Sequence, residues 1–101
     1  MKMTSLSNEP PKEAVTVRKI TQYLNKHGGW VLKTHGGQYQ RSGVPDLLYL
    51  HNGVLYAFEV KRRDTDLPTM LQAQTMARMT EAGAKCSVVR SVAEVVEVLT
   101  K

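Results

Sequence analysis

The stretch Gly43-Val44-Pro45-Asp46-Leu47-Leu48-Tyr49-Leu50-His51-Asn52-Gly53-Val54-Leu55-Tyr56-Ala57-Phe58-Glu59-Val60-Lys61 decides the fold. Its centre, Asn52-Gly53, is a strong two-residue hairpin signal, because both residues of such a turn adopt positive φ. Residues 46–50 and 54–61 flank it as two antiparallel strands. Strict pairing about the turn places Asp46 opposite Glu59. Side chains alternate along a strand, so Tyr56, Phe58 and Val60 form an apolar core face. Leu55, Ala57, Glu59 and Lys61 share the other face. Glu59 and Lys61 are then neighbours, roughly 6–7 Å apart along the strand.

Two carboxylates side by side repel each other unless positive charge lies between them. Lys61 supplies part of that charge, and a divalent cation can supply the rest. Hard cations such as Mg²⁺ or Mn²⁺ take oxygen ligands: one or two carboxylates, waters and substrate phosphate. Such an ion acidifies a bound water and stabilises charge on a phosphate, and a lysine beside it can orient the water. Pro45 fixes the backbone leading into the strand. Taken singly, Asp after Pro is common in turns and Glu-x-Lys on a strand is a plain surface ion pair. The pairing register is what brings the pieces together.

Upstream, residues 1–8 are polar and expected to be flexible, leaving 9–101 as a single domain. Asn8 can cap a helix that starts at Glu9-Pro10-Pro11, runs to about Lys26 and stops at Gly28-Gly29. Val17, Ile20 and Leu24 form its buried stripe. Glu13 lies on the same stripe, and two readings stand. It either reaches water from the first turn or points inward toward a cation. Residues 30–34 form a short strand, followed by a glycine-rich loop to Gly43 that carries His35, Tyr39 and Arg41.

Downstream, residues 62–68 form a charged connection. Residues 69–82 read as a helix with Ala73, Met76 and Met79 on one face. Residues 85–90 form a fourth strand with Cys86 as a small core residue. Ser91-Val92-Ala93-Glu94 is a capping box opening a last helix with Val92, Val95, Val96 and Leu99 as its stripe. The order αβββαβα implies an α/β fold, a mixed sheet flanked by helices.

The chain has 101 residues and 42% hydrophobic content, enough for one small core. Fourteen Lys and Arg against nine Asp and Glu give a net charge of +5, which favours a polyanionic partner. Lys33, His35, Arg41, Arg62 and Arg63 lie near the acidic motif in sequence and are candidate DNA contacts. One cysteine excludes an internal disulfide and fits a reducing compartment. No apolar stretch reaches membrane-spanning length and no signal-peptide core is visible, so a cytoplasmic location is expected. His27 and His51 show no ligand spacing. There is no Ser/His/Asp arrangement, zinc cluster or phosphate-cradling glycine motif, and no organic cofactor is expected.

On Glu13, Gly29-Trp30-Val31-Leu32-Lys33-Thr34-His35-Gly36, Gly43-Val44-Pro45-Asp46, Glu59-Val60-Lys61, and Gln72 eleven residues before Gly83, the chain resembles the VRR-NUC family. These are the virus-type replication-repair nucleases of the PD-(D/E)XK superfamily. In length it is similar to stand-alone phage members, for which the location would be the bacterial host cytoplasm. The resemblance implies that Asp46, Glu59 and the Val60 backbone carbonyl are Mg²⁺ or Mn²⁺ ligands. It makes Lys61 the catalytic lysine, and has Glu13 reach the site directly or through water. Gln72 would be the glutamine that orients the site, in preference to Gln74. It further implies a homodimeric, structure-specific endonuclease acting on Holliday junctions. Flap, nicking or restriction-type cleavage is the alternative within enzymes, and a non-catalytic DNA-binding module is the alternative outside them.

Overall fold

The computed structural model describes residues 11–34 and 42–101. The expected flexible segment 1–8, the Asn8 cap, and His35, Tyr39 and Arg41 lie outside the described residues. Among the described residues seven elements follow in the expected order: α1 (Glu13–His27), β1 (Trp30–Lys33), β2 (Leu47–His51), β3 (Val54–Val60), α2 (Met70–Glu81), β4 (Lys85–Val89) and α3 (Val92–Leu99). The sheet order is β1-β2-β3-β4. The first three strands pair antiparallel, and β4 joins β3 in parallel. This mixed sheet follows from the chain path. A two-residue turn can only reverse a strand, whereas the return through α2 permits a parallel partner.

The hairpin register is the expected one, with Leu47 opposite Phe58 and His51 opposite Val54. Asn52 and Gly53 take φ values of 51° and 79° at the turn, which suits the twist of the flanking strands. α1 begins at Glu13 rather than Glu9. Lys12 is extended and gives no side-chain cap, and its carbonyl accepts from the Val15 and Thr16 N–H groups. Pro11 lacks an N–H and so loses nothing by standing just outside the helix.

The core lies on one face of the sheet. Ile20 and Leu24 of α1 and Val95 of α3 pack there against Leu47, Tyr49, Phe58, Val60 and Val89. All these side chains are fully or almost fully buried. Burial pushes the Tyr49 phenol up, reinforced by Tyr23 and Tyr56 nearby. The Tyr49 hydroxyl donates to the Gly28 carbonyl, which ties the end of α1 to β2. His27 and His51, separate in sequence, meet at that end with ring centroids 4.8 Å apart.

Three details differ from the sequence expectation. α2 buries no residue completely, and Ala73 is exposed. The helix packs on β4, so its Met76 and Met79 face is only half covered. In α3 the Ser91 hydroxyl accepts from Glu94 N–H, but the Glu94 carboxylate accepts from Arg90 N–H instead of closing the box on Ser91. Cys86 is half-buried rather than sealed, because α2 covers β4 incompletely. Among the described residues no helix is long and apolar enough to cross a membrane.

Candidate active site

Asp46 stands at the threshold of β2, directly after the buried Pro45. Thr34, just past β1, holds this point. Its hydroxyl donates to the Pro45 carbonyl at 2.6 Å, and its N–H donates to the Asp46 carbonyl at 2.9 Å. Gly43 explains the start of the motif. Its φ is +85°, and a Cβ there would come within 2.6 Å of Leu71 Cγ on α2. Only glycine accepts both the backbone conformation and that approach.

The two carboxylates close the open end of the hairpin. Asp46 N–H donates to Glu59 Oε1 at 3.2 Å, and Val60 N–H donates to Asp46 Oδ2 at 2.7 Å. Each acid therefore accepts a backbone hydrogen bond from the other's strand. Lys61 Nζ lies 3.2 Å from Glu59 Oε2. The Lys61 N–H donates to the Val89 carbonyl at 3.0 Å, so the end of β3 is anchored to β4 as well.

Glu59 is recessed, with only 2% of its surface exposed, and the Lys61 side chain is 14% exposed. Burial pushes the Glu59 carboxyl up, and the Asp46 charge pushes it further. The Lys61 hydrogen bond and charge and the Asp46 N–H pull it back down. With all three groups ionised, the cluster carries one net negative charge in a poorly hydrated place. Such a site favours a cation. Among the described residues no group of three or more His, Cys, Asp or Glu side chains is placed to hold a metal. The two carboxylates nevertheless match what a hard cation asks of a protein when water and phosphate complete its shell.

Glu13 is exposed at the first position of α1 and does not make a third acid at the cluster. Gln72 is the third residue of α2, where its Oε1 accepts from Thr69 N–H and the Thr69 hydroxyl accepts from Gln72 N–H. Its carbonyl is thus engaged in helix capping. Lys33 pairs with Leu47 and shares that residue's face, opposite the one that bears Asp46 and Glu59. There it borders a depression beside Arg18 and Thr21 of α1. Arg62 and Arg63 follow Lys61 directly, the first half-buried and the second exposed. His35 and Arg41 lie outside the described residues.

Sequence reasoning missed Thr34 and Arg90. Thr34 lies within the 29–36 segment that carries the family resemblance, yet its bond to Pro45 depends on pairing β1 with β2, which no local pattern announces. Arg90 reaches back to the segment after Lys61 across 27 residues of chain.

Known proteins share this fold. A profile described as archaeal Holliday junction resolvase (Hjc) matches residues 10–94. The chain belongs to this family. A solved structure described as a VRR_NUC domain superposes with a TM-score of 0.74 at 30% identity, covering 88% of this chain and 95% of that one. No curated protein matches. Both matches fall within the PD-(D/E)XK nuclease superfamily and agree with the observed four-stranded mixed sheet. The protein is therefore a nuclease of resolvase-like type, with DNA as its substrate class.

Proposed function

We propose that the protein is a Mg²⁺- or Mn²⁺-dependent endonuclease that cuts four-way DNA junctions as a homodimer. The observation that carries this reading is the interlocked pair of Asp46 and Glu59 with Lys61 against it. Asp46, Glu59 and the Val60 carbonyl would hold the cation, since all are oxygen donors of the kind hard cations select. When bound, such a cation supplies acidification of water and neutralisation of phosphate charge. Lys61, held in place by Glu59, orients the attacking water and donates to the phosphate oxygens as their charge builds. Glu13 acts through water, and Gln72 through its amide nitrogen. Arg62 and Arg63 contact DNA phosphates.

A junction has two-fold symmetry and needs two matched cuts, so two sites related by symmetry suit it. The chain offers a surface for self-association. Trp30, Leu32 and Leu50 share the carboxylate-bearing face of the sheet and are 56%, 44% and 45% exposed. Neighbouring exposed apolar side chains of that kind support self-association through this face.

The test is cleavage of labelled four-way, flap, nicked and linear DNAs with Mg²⁺, with Mn²⁺ and with EDTA, alongside sedimentation of the free protein. Paired cuts in opposing strands of the junction, dependence on the cation and a dimeric mass are expected. Equal cutting of linear duplex would replace junction resolution by general nicking. Full activity in EDTA would remove the cation.

A further inference from the structure

We infer that Arg90 is a positioning residue that presents the arginines following Lys61 to DNA. This rests on the nuclease reading above and extends it to a residue outside the motif. Arg90 immediately follows Val89, whose carbonyl holds the Lys61 N–H. Its own N–H is fixed on Glu94 Oε1 at 2.9 Å, so the residue is anchored to α3. From there its guanidinium reaches the turn after β3. Nε donates to the Arg63 carbonyl at 2.7 Å, and Nη2 donates to the Asp66 carbonyl at 2.8 Å and the Asp64 carbonyl at 3.3 Å. The Asp64 carboxylate adds a looser contact at 3.8 Å.

The turn has a matching internal bracket. Arg63 N–H donates to Asp66 Oδ2 at 2.9 Å, and Asp66 N–H donates to the Arg63 carbonyl at 3.0 Å. Three backbone carbonyls from a surface turn thus converge on one cation. Without it they would face one another and the segment could take many conformations. Arginine suits this role because its donors spread across a rigid plane; a lysine ammonium is a single point. The guanidinium directs its hydrogen bonds to protein backbone. Its effect passes through the turn, fixing Arg62 and Arg63 relative to Lys61, which Val89 holds one residue away from Arg90.

The experiment compares wild type with Arg90→Met and Arg90→Lys, and with Asp66→Ala, which breaks the same turn while leaving Arg90 on α3. Binding to a four-way junction is measured in Ca²⁺ across a salt series. Mn²⁺ binding without DNA, single-turnover cleavage at saturating DNA, and amide hydrogen exchange complete the set. All three variants are expected to exchange faster at residues 62–66 while β3 stays protected. Junction affinity should fall about tenfold, and the salt slope should shrink by about 1–2 as ordered phosphate contacts are lost. Mn²⁺ affinity and the saturated cleavage rate should stay within about twofold, since those read the carboxylates and Lys61. Unchanged junction affinity and salt slope would overturn the inference. So would a parallel loss of Mn²⁺ binding, cleavage and sheet protection, which marks a merely structural clamp. If Arg90→Met does not fold, Asp66→Ala decides between these outcomes by the same readouts. A wild type that binds junctions with the full salt slope and cuts nothing removes the proposed activity but leaves the role of Arg90 intact.

Discussion

Beneath α1 and α3 the sheet is sealed, with Leu47, Tyr49, Phe58 and Val60 at zero exposure. On its other face, the one that also bears Asp46 and Glu59, Trp30, Leu32 and Leu50 stand open to solvent. Alternation makes every site residue the immediate neighbour of a core residue: Asp46 precedes Leu47, and Glu59 lies between Phe58 and Val60. The sealed face fixes the backbone, and the other face, open at β1 but closed down to 2% exposure at Glu59, uses that rigidity to hold two carboxylates together against their repulsion. Stability and chemistry share the same two strands but are separated by the direction of the side chains. A one-residue slip would exchange them.

The sharpest break of this division is at the cluster. Glu59→Ala and Lys61→Ala should each lower single-turnover junction cleavage by about a thousandfold. Far-ultraviolet circular dichroism should still report the folded sheet. Cleavage within tenfold of wild type in either variant would place the chemistry elsewhere. On the sealed face the expected pattern is reversed. Phe58→Ala should cost about 3–5 kcal/mol in urea unfolding, whereas Trp30→Ser on the open face should cost under about 0.5 kcal/mol in monomer stability. Equal losses would mean that the two faces contribute alike to stability.

Thr34→Ala tests the seam between them. Losing the bond to the Pro45 carbonyl should cost about 1 kcal/mol and weaken Mn²⁺ binding measured by calorimetry. Wild-type Mn²⁺ affinity would show that Thr34 only stabilises the strand end.

A pH series sharpens the comparison further. The Glu59 carboxyl is raised above its ordinary 4.5, so above that pH the unfolded chain releases a proton that the folded chain still holds. The contribution of Glu59 to stability therefore falls as pH rises from 4.5 toward the folded value. In EDTA, Glu59→Gln should gain stability relative to wild type as pH climbs through that window, with no gain from this group below it. A constant difference at every pH would show that the carboxyl is not perturbed by burial and Asp46.

The smallest expected effect is on the open face. Leu50→Ser with Trp30→Ser should shift sedimentation toward monomer with little change in melting temperature. A dimer that persists would move the self-association surface away from this face.

Much of this is legible in the chain before any fold is known. The Asn52-Gly53 step fixes the hairpin and its register, since a two-residue turn leaves no freedom in which residues pair. That register puts Asp46 opposite Glu59, and the period of two puts Lys61 on their face. The stripes of α1 and α3 name Ile20, Leu24 and Val95 for the core. Local pattern also predicts a capping box at Ser91, but the Glu94 carboxylate takes the Arg90 N–H at the end of the preceding strand. It places Lys33 near the acidic motif by sequence distance, while the pairing of β1 with β2 turns it to the opposite face.

The sequence by itself thus determined what depends on short-range geometry: the turn, the alternation, the helical stripes and the meeting of two acids across one hairpin. Tertiary structure alone decided how deeply Glu59 is buried, that Leu71 crosses Gly43, that Thr34 pins Pro45, and that Arg90 grips the turn after Lys61. Those contacts join segments separated by many residues. They exist only after the sheet has ordered its strands, because the chain between such partners is too long and too flexible for local preference to bring them together.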